Sequence, residues 1–228
     1  MDQDSAEHMR ATLAGLKLRY ASDCTGSNGA LFALRGLEEA FAEAFGATFS
    51  IDHEFASEID AREGDSARDF IAENDPPRIM FRDMVARGAK GYCDYARQQV
   101  QTPSCDIYFA GTECKDVACT NRFPKKLDLE FGEGRSSTTL KASLSYIARF
   151  QPAIVILEDS YKKQVIEVMQ QEMRKLKVYD FEVFRLDPFT FKLKQTRRRA
   201  VACGVNLRKV SLRSPVHTWT ELLEKVQT

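Results

Sequence analysis

The sequence is poor in the residues that build metal sites or covalent frameworks. Its 228 residues include six cysteines (Cys24, Cys93, Cys105, Cys114, Cys119 and Cys203) and three histidines, widely scattered and without a Cys-x-x-Cys pair. That spacing argues against a zinc site, and no metal is expected. A disulfide framework is not expected in a chain of this size without a secretory leader, so most thiols should act as small buried hydrophobes. Long apolar runs are missing too. None approaches the ~18–20 residues of a membrane span, and MDQDSAEHMRATLAGLK at the N-terminus has no apolar central block of a signal peptide. The expected location is nuclear or cytoplasmic. An excess of either charge is also absent, with 33 basic against 33 acidic side chains. This argues against a dedicated nucleic-acid module with a wholly basic surface. A local basic cluster does exist, at Lys192, Lys194, Arg197, Arg198 and Arg199.

What is present is an alternation of strand-like and helix-like segments. Strand character recurs at 16–22, 47–55, 78–81, 105–111, 153–159, 179–186 and 200–206, several of these runs being continuously apolar or β-branched, as in strands covered on both faces. Helical spacing appears at 29–45, at 136–150 (opening on Ser/Thr capping residues and stopped by Pro152) and at 161–176. This pattern predicts an α/β domain with a mainly parallel, doubly wound sheet, for which the length is sufficient. Ligands of such sheets bind beyond the carboxyl ends of the strands.

The strand ends carry the chemistry. After the first strand comes Ser22-Asp23-Cys24-Thr25-Gly26-Ser27-Asn28-Gly29, where Gly26 and Gly29 either admit a nucleotide-like ligand or simply make a turn. Glu58 follows the second strand, a place suited to holding ribose hydroxyls or to opening a helix. Asp83 follows the third, to receive an adenine amino group or to cap a helix. The fourth leads into Thr112-Glu113-Cys114-Lys115-Asp116, a loop in which Cys114 is either a reactive thiol or a structural one. The fifth ends on Glu158 and Asp159, acids whose apolar setting suits a raised pKa and proton donation. Arg197, Arg198 and Arg199 precede the last strand and suit either phosphate binding or a solvated turn.

In order and spacing these segments resemble the cytosine-5 DNA methyltransferases over roughly residues 17–206. The Gly26/Gly29 turn looks like the family's Phe-x-Gly-x-Gly loop. FASEID looks like its Asn/Ser-Glu-x-Asp segment, and Arg82-Asp83-Met84 like its Gly-Asp-Ile. The run from Asp106 to Asp116 resembles the strand and Gly-Phe-Pro-Cys-Gln-Asp loop, and FQPAIVILED the strand ending Glu-Asn. Gln195-Thr196-Arg197-Arg198-Arg199 fits Gln-x-Arg-x-Arg throughout.

The resemblance implies a Rossmann-like S-adenosylmethionine-dependent methyltransferase fold, with S-adenosyl-L-methionine held at Gly26, Gly29, Glu58 and Asp83. It implies Cys114 as nucleophile, Glu158 as catalytic acid, and Arg197 and Arg199 as the pair that orients the base. DNA is the implied partner, with RNA left open. The expected division is a helical extension at 1–16, a catalytic core at 17–206 and a tail at 207–228, with the family's target-recognition domain expected to be absent. Such recognition would come from a longer product or from a partner chain.

The chain departs from the family pattern in four places. Glu113 and Lys115 replace the Pro and Gln that flank the nucleophile, Asp159 replaces an Asn that would help fix the nucleophile loop, and Cys24 replaces an aromatic that would lie on adenine. The acid expected early in the first loop is Ser22 or Asp23. These changes keep two other readings open: a catalytically inactive methyltransferase-like regulatory or interaction protein, and a different Rossmann-like nucleotide-binding enzyme. The tail around Trp219 either packs on the sheet or docks a partner.

Overall fold

The computed structural model describes residues 3–59, 67–117, 127–129, 134–192, 194, 197–212 and 214–221. Cys119, Gln195 and Thr196 lie outside them. Among the described residues, nine strands form one sheet. In chain order the elements are α1 (Gln3–Leu13), β1 (Leu16–Asp23), α2 (Gly29–Phe45), β2 (Phe49–Ser57), α3 (Ala67–Asn74), β3 (Ile79–Phe81), β4 (Lys90–Cys93) and β5 (Gln98–Gln101). These are followed by β6 (Ile107–Gly111), α4 (Arg135–Phe150), β7 (Ile154–Ser160), α5 (Lys163–Lys175), β8 (Tyr179–Leu186) and β9 (Arg199–Asn206).

The strand order is β5-β4-β3-β2-β1-β6-β7-β9-β8. The central ladders from β3 through β7 are parallel. Both flanks are antiparallel, because β4 and β9 run against their neighbours. The predicted parallel sheet is therefore the centre of a mixed one.

Alternation along the strands sends side chains to two cores. Tyr20, Ile51 and Ile107 pack with Leu31 of α2 on one face. Ala21, Phe55, Tyr108, Ala110, Val155 and Leu157 meet α4 and α5 on the other, against Leu140, Ile147, Val165 and Met169. Helices on both faces make the sheet doubly wound, and α2 ends where the sequence supplies Gly46 in the left-handed region, at φ 60°.

The hairpin β4–β5 and the short α3 were not foreseen. β5 reads Gln-Gln-Val-Gln without a buried side chain, and α3 buries only Ile71, so neither carries a hydrophobic period strong enough to register. The capping residues of α4 also act differently from expectation. Its N-cap is Gly134 with no capping side chain of its own, and Asp116 from the preceding loop accepts the Ser136 N–H at 3.0 Å. In the tail, Val216 is fully buried beside Phe184 and Val205, its N–H donates to Asp180 (2.9 Å), and Trp219 packs on this cluster. The described part of the tail thus packs on the sheet.

Candidate active site

The chain order reverses at β1, whose neighbours are β2 on one side and β6 on the other. Loops leaving adjacent strands there diverge to opposite faces and leave a crevice. A cleft of about 740 Å³ opens at that point. It is lined by the eight residues that the resemblance assigns to donor and base: Gly26, Gly29, Glu58, Asp83, Cys114, Glu158, Arg197 and Arg199. The reversed direction of β9 explains the last two. Arg199 starts its strand yet pairs with Ser160 at the carboxyl end of β7.

One half of the cleft combines carboxylates with apolar side chains. Gly26 sits at φ +52°, a left-handed conformation that favours glycine, and its N–H donates to the Glu58 carboxylate at 2.8 Å. A Cβ at Gly26 or Gly29 would meet nothing within 4 Å, so the space above this turn belongs to the cleft. Asp83 accepts the Val85 N–H at 2.8 Å. Apolar side chains flank these carboxylates: Ile59 (56% exposed), Val85 (46%), and Met84, whose Sδ lies 3.3 Å from Cys24 Sγ. A sulfur pair thus stands at the edge of this turn. Asp60 lies outside the described residues.

Beneath this turn is a network that the sequence did not signal. Arg87, from the segment between β3 and β4, donates to both oxygens of Asp23 at 2.7 and 2.5 Å and to Ser57 Oγ at 2.9 Å. The Tyr108 hydroxyl donates to the same carboxylate at 2.5 Å. Both charged side chains are sealed from solvent (1% and 0% exposed). The guanidinium lies 4.5 Å from the Phe55 ring centre and 5.1 Å from that of Tyr146. Gly91 makes room, since a Cβ there would stand 2.7 Å from Arg87 Cγ. Neither Ser22 nor Asp23 lines the cleft. Asp23 ties the end of β1 to the end of β2 from below.

The other half holds the candidate chemistry. The loop carrying Cys114 is pinned to the start of α4 by three hydroxyls and one carboxylate. Thr139 Oγ1 accepts the Glu113 N–H (3.2 Å), Ser136 Oγ accepts that of Asp116 (3.1 Å), Ser137 Oγ accepts that of Asp128 (3.1 Å), and Asp116 returns a bond to Ser136. At the other end of the loop, Thr112 Oγ1 donates to Asp159 at 2.6 Å. The Asp replacing Asn therefore holds the loop rather than releasing it. Burial pushes the Asp159 carboxyl up to about 6.

Glu158 forms an ion pair with Arg199, both side chains being mostly covered. A Cβ on Gly111 would stand 3.4 Å from Glu158 Oε2, so glycine permits this approach. The half-buried Cys114 thiol is raised above its ordinary value by burial and then by Asp159, with Arg199 opposing. Lys115 is 80% exposed and turned to Glu113, Nζ to Oε2 3.5 Å.

Comparison with known proteins gives this geometry a family context. No protein-family model matches the chain. It is 32% identical over 191 residues, 82% of its length, to DNA (cytosine-5-)-methyltransferase DMT5 of Cryptococcus neoformans var. grubii. The chain is a relative of the cytosine-5 DNA methyltransferases. It spans 8% of the length of that curated protein. Two solved structures share the fold of this methyltransferase relative at 15% identity. The S. pombe Dnmt2 methyltransferase superimposes with a TM-score of 0.58 over 90% of this chain and 55% of its own. A proposed DNA modification methyltransferase encoded in an E. coli prophage gives 0.57 over 86% and 49%. The α/β sheet of this chain thus has the fold of these two solved structures. Among the described residues no helix is long and apolar enough to cross a membrane, and no cluster of metal-ligating side chains occurs.

Proposed function

We propose that this chain is a DNA cytosine-5 methyltransferase core, transferring a methyl group from S-adenosyl-L-methionine to carbon 5 of cytosine through a covalent adduct at Cys114. The observation that carries this reading is the convergence on one cleft of residues from six separate segments, matching both the donor-binding and the base-modifying motifs. The donor half fits the ligand: Glu58 would hold the ribose hydroxyls, Asp83 the adenine amino group, and Ile59, Met84 and Val85 the faces of the ring. The bound donor supplies an electrophilic methyl group.

Cytosine carbon 5 is a weak nucleophile, and Cys114 remedies this by adding to carbon 6, which makes carbon 5 enamine-like. Glu158 holds ring nitrogen 3 and supplies its proton, while Arg199 positions the Glu158 carboxyl and Arg197 orients the base at the cleft mouth. After transfer, loss of the carbon 5 proton expels the thiolate. The target atom is buried in a duplex, so the base must be turned out of the stack first.

The raised Cys114 thiol favours a second reading, a non-catalytic relative that keeps the donor pocket. Calorimetric titration with S-adenosylmethionine, alongside Glu58→Ala, tests the pocket common to both. Saturable binding that the substitution abolishes is expected. A folded protein that takes up no donor at millimolar concentration would contradict the proposal.

A further inference from the structure

We propose that the turn between β8 and β9 is a docking surface for a DNA strand, continuing from the mouth of the cleft. The inference deepens the methyltransferase reading, since it says which face would meet the substrate polymer. Leu186, the last residue of β8, pairs with Arg199, which in turn pairs with Ser160 at the carboxyl end of β7. The turn therefore stands at the sheet end that holds the cleft, and Arg197 and Arg199 line both.

Its charge is unlike that of the rest of the chain. Residues 185–199 carry six cations and one carboxylate, in a protein of zero net charge. That carboxylate, Asp187, is engaged in shaping the turn. It accepts the N–H groups of Phe189 and Arg197, both at 3.2 Å, and pairs with Arg198 at 3.5 Å. Arg185, Lys192, Lys194 and Arg198 are all exposed around it.

Among these cations stand two aromatic rings. Phe189, on a short 3₁₀ turn opened by Pro188, is 67% exposed. Tyr161 on the neighbouring β7–α5 turn is 39% exposed, with the Arg185 guanidinium 5.0 Å from its ring centre. An apolar protein partner would have to desolvate the surrounding cations. A polyanion whose bases offer π-faces satisfies cations and rings together: phosphates pair with the lysines and arginines, and a base stacks on Phe189.

The test is fluorescence anisotropy with a labelled 20-nucleotide cytosine-containing DNA strand at several salt concentrations, without donor. Lys192→Gln/Lys194→Gln/Arg198→Gln should weaken binding more than tenfold and reduce the salt slope by about 2, near 0.7 for each lost phosphate contact. Phe189→Ala should weaken binding about fivefold or more with the slope unchanged. These side chains are exposed, and circular dichroism will show that the fold is kept. Arg174→Gln/Lys175→Gln, at the far end of α5 and so at the opposite end of the sheet, should bind as the unmodified protein does.

Unaltered binding by both turn variants, or an equal loss in the α5 control, would overturn the surface, as would RNA of the same sequence binding tenfold tighter than DNA. Donor binding without DNA binding would overturn this proposal and leave the methyltransferase reading. DNA binding lost on substitution of the turn, in a protein that binds no donor, would do the reverse.

Discussion

Arg87→Met should cost the fold about 3–5 kcal/mol, the range for removing one partner of a buried ion pair. The methionine stem retains most of the packing against Phe55 and Phe81, so the loss isolates the charge. Asp23, fully buried, would keep only the Tyr108 hydroxyl in place of three donors. Solvent screening gives no relief, because neither side chain reaches the surface. Against a total of about 5–15 kcal/mol for a domain, the change removes a large share. Urea unfolding followed by circular dichroism measures it. Asp23→Asn/Arg87→Met should recover at least about 1 kcal/mol of the loss, since no buried charge remains uncompensated. A single variant that loses less than about 1 kcal/mol, or a double variant no more stable than Arg87→Met, would refute the reasoning. Asp23 is followed directly by the Cys24–Gly26 turn, so donor affinity should fall in the single variant as well.

Asp159→Asn tests a titration with a defined sign. The carboxyl is raised to about 6 in the folded chain from an ordinary value of about 3.9. Between these values the unfolded chain releases its proton first, so native stability falls by about 2–3 kcal/mol as pH rises from about 4 to about 6. The Asn variant should lack this fall, seen as urea midpoints that change less between pH 4 and pH 7. Alkylation of Cys114 should also begin at lower pH in that variant, because a neighbouring negative charge is gone; an unchanged onset would count against the contact. Asp116→Ala removes the acceptor at the start of α4 and should cost about 0.5–2 kcal/mol in thermal or urea unfolding. Gly26→Ala, strained at positive φ, should cost about 1 kcal/mol and weaken donor binding in calorimetry.

The parts of this architecture legible in sequence were those with a local cause. Continuous apolar runs such as that ending at Leu157, and the helical period of residues 29–45, announced the central strands and α2 within a residue or two. The motif residues were legible because strand ends in a doubly wound sheet converge, so Glu58 and Cys114 could be placed near each other despite 55 intervening positions. What escaped was non-local or weakly patterned. Arg87 lies in a stretch, Ala-Arg-Gly-Ala-Lys-Gly, that reads as an exposed loop, and its partner stands 64 residues away. The serines and threonines opening α4 looked like caps, whereas their hydroxyls hold the loop that carries Cys114. The balance between Glu113 and Lys115 was open in sequence. In the folded chain the two side chains face each other, and Glu113 still joins burial, Asp159 and Glu158 in raising the thiol against Arg199.

The central claim is that Cys114 adds covalently to cytosine. The most direct measurement is incubation of the protein with S-adenosylmethionine and an oligonucleotide carrying 5-fluorocytosine, followed by denaturing electrophoresis and mass spectrometry of the adduct. Fluorine at carbon 5 cannot leave as a proton does, so the adduct should persist, map to Cys114 and vanish in Cys114→Ser. A protein that binds both donor and DNA yet forms no adduct, or an adduct that survives Cys114→Ser, would contradict the account.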